Sequence, residues 1–134
     1  MSLVDLSQLK IGDVVVETEI PLSRASLIDY AAASGDHNPM HIDIDVAKSV
    51  GLPDVFAHGM LSMAYLGRIL TNWVAPEAIR SYAVRFGAIT PVLAEPTATG
   101  TVVAIDEVDG EQRATLDLAV TLADGTVTLT GTAV

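Results

Sequence analysis

The feature that most limits this chain is the run from Met60 to Val74. Met60, Leu61, Met63, Ala64, Tyr65, Leu66, Ile69, Leu70, Trp73 and Val74 make a helix from about Gly59 to Val74 apolar nearly all round. Such a helix must be enclosed by the rest of the protein. Ser62, Arg68, Thr71 and Asn72 interrupt it, and it is shorter than the roughly 20 apolar residues that cross a bilayer. No membrane span is therefore expected, and the helix needs a protein wall.

The rest of the chain supplies one. Ser81 to Phe86, Thr97 to Val108, Gln112 to Leu122 and Thr126 to Val134 read as strands, and Asp109-Gly110 and Asp124-Gly125 between the last three are hairpin signals. Leu116, Leu118, Val120 and Leu122 alternate with polar or small residues, as Val127, Leu129 and Ala133 do with Thr126, Thr128, Thr130 and Thr132, so each strand has one apolar face. A further strand is expected over Val14 to Ile20. A first helix should run from Arg24 to about Ala33, capped by Ser23 and ended by Gly35. Between Ser34 and Pro53 periodicity is lost, with room for one short helix near Val46 to Val50; a long irregular stretch in a small domain is more often functional than idle.

These elements predict an α+β fold, residues 1–134 as a single domain, with an antiparallel sheet of about five strands wrapped around a buried central helix: a hot-dog layout. A sandwich with the helix on its outside would expose Leu and Trp side chains and is disfavoured. An open sheet of this kind leaves strand edges and helix faces that a second copy can cover, so a dimer is expected.

Composition narrows the function. Seven Lys and Arg against 17 Asp and Glu give a net charge of -10, which repels nucleic acid and anionic lipid surfaces. No cysteine is present, so thiol nucleophiles, thiolate zinc sites and redox relays are excluded, and a cytoplasmic setting is the default. The start, MSLVDLSQLK, lacks the basic leader and apolar stretch of a secretory signal. Neither a serine-hydrolase elbow, a dinucleotide glycine motif, a phosphate loop nor an H-E-x-x-H zinc motif occurs. His37 and His41 are four apart, but Pro39 breaks the helix that would align them, so no metal and no cofactor are expected.

The chemistry is concentrated in Ser34-Gly35-Asp36-His37-Asn38-Pro39-Met40-His41. Gly35 frees the backbone and Asn38-Pro39 bends it, so that Asp36 and His41 can converge. Two proton carriers of different basicity are what addition or elimination of water requires. A plain turn cap at Asp36 with a structural His41 is the competing reading at this point. Ala57-His58-Gly59 precedes the central helix, so the Gly59 amide lies at its positive end, where a developing oxyanion can be held and a thioester can approach closely.

The run Y-A-A-A-S-G-D-H-N-P-M-H-I-D-I-D-V-A, Tyr30 to Ala47, resembles the hydratase 2 signature of the MaoC-like dehydratases, which include (R)-specific enoyl-CoA hydratases. V-G-L-P-D-V-F-A-H-G-M-L-S-M (Val50 to Met63), N-W-V (Asn72 to Val74) and Y-A-V-R-F (Tyr82 to Phe86) look like the catalytic B-type subunit of mycobacterial (3R)-hydroxyacyl-ACP dehydratases. The resemblance covers roughly residues 8 to 104 and departs from the family at Pro91 to Pro96, where a Gly-Asp turn is missing.

What the resemblance implies is a hot-dog dimer, with itself or with a sister subunit, acting as a hydro-lyase that interconverts a (3R)-3-hydroxyacyl thioester with the trans-2-enoyl thioester and water. Asp36 and His41 would be the catalytic pair and Gly59 would polarise the thioester carbonyl. Asn38 would brace the loop, and Ser62 and His58 would flank the substrate. Tyr65 lies along the expected acyl tunnel, and Arg85 is among the cations available to an acyl-CoA or acyl-ACP carrier. Two alternatives stand beside this reading: a hot-dog thioesterase, disfavoured because Gly59 to Val74 contains no Asp or Glu, and a non-catalytic acyl-binding subunit, disfavoured because the D-x-N-P-x-H stretch is complete.

Overall fold

A computed structural model describes residues 4–20 and 22–134, with backbone alone for Val15 and for Glu17, Thr18 and Glu19. The first three residues of the expected leaderless start lie outside it. In chain order the elements are β1 (Val14–Glu19), α1 (Arg24–Ser34), α2 (Ile44–Ser49), α3 (Gly59–Trp73), β2 (Tyr82–Phe86), β3 (Thr97–Val108), β4 (Glu111–Thr121) and β5 (Val127–Ala133). A single-turn 3₁₀ helix, Pro39–His41, lies between α1 and α2. All strand pairs are antiparallel and the sheet order is β1-β3-β4-β5-β2. This is the hot-dog layout: a five-stranded sheet with α3 lying in its concave side.

The local signals act as expected. Ser23 Oγ accepts the Ser26 amide at the start of α1, and Gly35 ends it in the left-handed region at φ 80°. Asp109 and Gly110 take φ 53° and 78°, the double positive φ of a type I′ turn whose twist matches that of β3 and β4. The core joins Leu27 of α1, Leu61, Leu66, Ile69 and Leu70 of α3, and Val102, Leu116, Leu118, Val120 and Leu129 of the sheet. Leu66 is fully buried at mid-helix, a burial that contributes about 2 kcal/mol or more.

β2 docks on α3 through two glycines. The Tyr82 ring lies over Gly67 and its hydroxyl donates to the Met63 carbonyl at 2.6 Å, while the Phe86 ring lies against Gly59. Eight helical residues rise about 12 Å and four strand residues about 13 Å, so Tyr82 and Phe86 share the spacing of Gly67 and Gly59. Burial pushes the Tyr82 hydroxyl up to about 12.

Two expectations are corrected. The central helix is not enclosed on every side: Met60 is 56% exposed, and Ala64, Arg68 and Asn72 continue that open stripe at intervals of four residues. The sheet covers one side only, and the polar residues at 68 and 72 mark the side it leaves. In β5 the alternation holds at Leu129 and Ala133, which are buried, and fails at the first two residues of the strand. A register shift between Val120 and Thr121 puts Thr128 inside, fully buried with its hydroxyl on the Val120 carbonyl, and leaves Val127 44% exposed. One inserted residue in a strand swaps the faces beyond it.

Candidate active site

The site is assembled where α1 ends and α3 begins. Gly35 turns the chain out of α1 and delivers Asp36, whose backbone amide donates to Ser34 Oγ at 3.1 Å. Asp36 Oδ1 accepts the Asn38 amide at 3.2 Å, and Asn38 Oδ1 in turn accepts the Met40 amide at 3.1 Å, capping the turn that carries His41. The turn cap uses one oxygen of Asp36 and leaves the second to face His41: Oδ2 lies 3.9 Å from His41 Nε2. The Asp36 carboxylate is half exposed and the His41 side chain 9% exposed, so the pair opens to solvent from the Asp36 side.

The ring of His41 is fixed from behind. Its Nδ1 donates to the Phe56 carbonyl at 2.8 Å, which fixes a proton on Nδ1 and leaves Nε2 as the ring nitrogen that faces Asp36. The Phe56 ring packs edge-on to the imidazole at 4.8 Å between centroids, and the His58 ring stacks on it at 4.0 Å. His58 is only 1% exposed. Its Nε2 donates to the Asp36 carbonyl at 3.1 Å, Tyr30 packs edge-on against it at 4.8 Å, and its Nδ1 is buried with no partner among the described residues. Where a substrate contact was expected of His58, the geometry makes it a brace beneath the loop, with no face open to a ligand.

Burial lowers the His58 pKa below its usual 6.5, so the folded protein holds the ring neutral. Unfolding restores the ordinary value, and the unfolded chain then binds the extra proton first. The contribution of His58 is therefore fully present above pH 6.5 and is lost as pH falls from there through the lowered folded value. The melting temperature should drop on acidification from pH 7 to pH 5, and the His58→Gln protein should show a shallower drop over that interval. Equal slopes in the two proteins would remove His58 from the account.

Gly59 opens α3, and neither its amide nor that of Met60 donates to another group among the described residues; the amides of Leu61 and Ser62 both turn back to the His58 carbonyl, at 3.0 and 3.4 Å. The helix thus presents two unpartnered N–H groups at its positive end. Ser62, one turn further, is 5% exposed. A Cβ at Gly59 would stand 3.2 Å from Phe86 Cε1, so the absence of a side chain serves the packing of β2 as well as access to the amide.

The other expected site residues lie elsewhere. Arg85 projects from the opposite face of β2 to Phe86, away from α3, and is exposed. Tyr65 sits on α3 with the Arg68 guanidinium 4.8 Å over its ring. A cavity of about 210 Å³ is lined by Leu6, Leu70, Trp73, Ile79, Ala114 and Ala133. Trp73 is fourteen residues beyond Gly59, about 21 Å along the helix axis, so this cavity is at the other end of the helix from the Asp36–His41 pair. What the residue pattern missed is the support: Phe56 acts through its backbone carbonyl, which no side chain advertises, and Tyr30 through an edge contact.

Asp36, His41 and His58 each bring a potential ligand atom within 4.8 Å of the others. His41 Nδ1 and His58 Nε2 already donate to carbonyls. His41 Nε2, the Asp36 carboxylate and the buried His58 Nδ1 remain without a carbonyl partner among the described residues.

The pattern characteristic of the MaoC like domain matches residues 7–125 of the chain. The chain belongs to that family. Among sequences, the MaoC-like domain is 44% identical over 79 residues to "3-hydroxyacyl-thioester dehydratase X" of Mycobacterium tuberculosis, an alignment that takes in 58% of this chain and 26% of that protein. Among solved structures, it superposes on one titled "MaoC-like dehydratase" with TM-score 0.85 and 30% identity, over 96% of this chain and 41% of the other. The (R)-hydratase from A. caviae involved in PHA biosynthesis, at 24% identity, shares the fold with TM-score 0.80 over 94% of this chain and 95% of that one. This chain spans well under half the length of the first curated relatives it matches.

Proposed function

We propose that this MaoC-like domain is a hydro-lyase that interconverts a (3R)-3-hydroxyacyl thioester with the trans-2-enoyl thioester and water. The observation that carries the reading is the Asp36–His41 pair: Oδ2 and Nε2 lie 3.9 Å apart, the imidazole Nδ1 is held by the Phe56 carbonyl, and both residues contact His58, which precedes the unpartnered amides of α3. The dehydratase named among its sequence relatives supports the same reaction class.

In the dehydration direction one member of the pair removes a proton from carbon 2. The other donates a proton to the hydroxyl on carbon 3, which leaves as water while the electron pair of the broken C–H bond becomes the C2–C3 double bond. Negative charge grows on the thioester oxygen as the proton leaves. The Gly59 amide at the positive end of α3 stabilises it, with no reorganisation at the moment of reaction. The carrier is CoA or acyl carrier protein, and the exposed stripe of α3 beside the unpaired edge of β2 is the surface on which a second hot-dog subunit, identical or sister, would close the site.

Hydration of crotonyl-CoA tests the reading: enoyl absorbance should fall without release of free thiol, and the product should be the (3R) alcohol. Thiol release with no hydroxyacyl product would favour a thioesterase, although α3 carries no acid to activate water for one.

A further inference from the structure

We propose that Arg24 and Asp54 are a positioning pair, whose ion pair fixes the separation of Asp36 and His41 by tying the far end of α1 to the segment that holds both residues from behind. The proposal rests on the assignment of Asp36 and His41 as the proton carriers.

The placement of Arg24 is unfavourable taken alone. It occupies the first position of α1, and no acidic residue lies in that helix's first turn; a cation there opposes the helix dipole. The missing negative charge comes from thirty residues away. Arg24 Nη1 donates to Asp54 Oδ1 at 2.8 Å and Nη2 to Asp54 Oδ2 at 2.5 Å, a two-pronged match of guanidinium to carboxylate. Asp54 Oδ1 also accepts the Val55 amide at 2.7 Å, which orients the carboxylate. These contacts hold its carboxyl well down, at about 2.

The tie closes a loop of contacts around the site. α1 starts at Arg24 and ends at Gly35, which delivers Asp36. The segment that starts at Asp54 supplies the Phe56 carbonyl to His41 and the His58 ring to the Asp36 carbonyl. That segment is itself stitched to the chain opposite, with the Ala57 amide on Thr90 at 2.8 Å and the Val92 amide on Val55 at 3.3 Å. α1 is held less firmly, since only Leu27 and Ala31 of its residues are buried. Those two, with Tyr30 edge-on to His58, hold the middle of the helix; Arg24–Asp54 ties its first turn to the same segment. Both partners are partly exposed, 49% and 29%, and a pair of that kind contributes little to global stability. Its consequence lies in geometry.

Arg24→Gln and Asp54→Asn should each lower kcat for crotonyl-CoA hydration by about tenfold, with KM within about twofold, since misplacements of about 1 Å cost up to about 100-fold. Melting temperatures should stay within about 2 °C of the parent, as expected for an exposed pair. The double variant should be no worse than either single one, Arg24→Lys should restore part of the rate, and the swapped pair Arg24→Asp with Asp54→Arg most of it. In a crystal structure of the Arg24→Gln protein the Asp36 to His41 separation should depart from 3.9 Å. Full kcat in both single variants, an unchanged separation, or a loss of rate that only tracks a loss of melting temperature and is not restored by the swap would overturn the proposal. Asp36→Asn assayed alongside keeps the two readings apart: if it is inactive while Arg24→Gln is normal, the pair fails and the site stands; if Asp36→Asn is itself fully active, the site assignment fails.

Discussion

Asp36→Asn and His41→Ala should each lower kcat/KM for hydration of crotonyl-CoA by about 10² to 10⁴-fold, the range for loss of a positioned acid or base. The melting temperature should change little in Asp36→Asn. The amide keeps the Oδ1 that accepts the Asn38 N–H, so the turn survives while the proton carrier is gone. His41→Ala leaves the Phe56 carbonyl without its donor and the His58 ring without its stacking partner, so some stability should go with the activity. The two losses should not add in the double variant, because either carrier is useless without the other. Retention of more than a tenth of the parental rate in both folded single variants would end the assignment.

The largest purely structural effect is expected at Gly131→Ala. In β5 this glycine stands between Leu118 of β4 and Val84 of β2. A Cβ built on it would lie 2.5 Å from the Ala83 carbonyl oxygen and 3.0 Å from Val84 Cγ1. The first of these is backbone, which cannot swing aside as a side chain does, so β2 must shift outward as a whole. Overpacking of this kind costs about 3 kcal/mol, and in a domain of this size the melting temperature should fall by roughly 10 °C. Hydrogen exchange should quicken first in Tyr82–Phe86, because β2 is the edge strand that is displaced. Phe86 would move away from Gly59, so hydration activity should drop as well. A variant that melts with the parent would show that the β5–β2 spacing is looser than it stands.

Much of this architecture could be read from residue order because the local signals are strong and agree. Ser23 and Gly35 bracket α1, Asp109-Gly110 turns β3 into β4, and the alternation of Leu116, Leu118 and Val120 names the inner face of β4. The convergence of Asp36 and His41 was legible too, since Gly35 and Asn38-Pro39 bend the loop between them. What was not legible depends on partners distant in sequence. The inversion at Thr128 follows from a register shift that only pairing with β4 creates. His58 reads as a ligand contact until Tyr30, His41 and the Asp36 carbonyl are seen to surround it. The open side of α3 was announced by Arg68 and Asn72, but the count of apolar residues around the helix outweighed them.

Trp73, the sole tryptophan, stands at the end of α3 opposite to Gly59. The chain therefore carries one indole fluorophore beside three tyrosines, and the indole is remote from the Asp36–His41 pair. Its emission should report the cohesion of the apolar layer between α3, β4 and β5 while staying indifferent to occupancy of the loop, which gives unfolding and turnover separate optical channels in one cuvette.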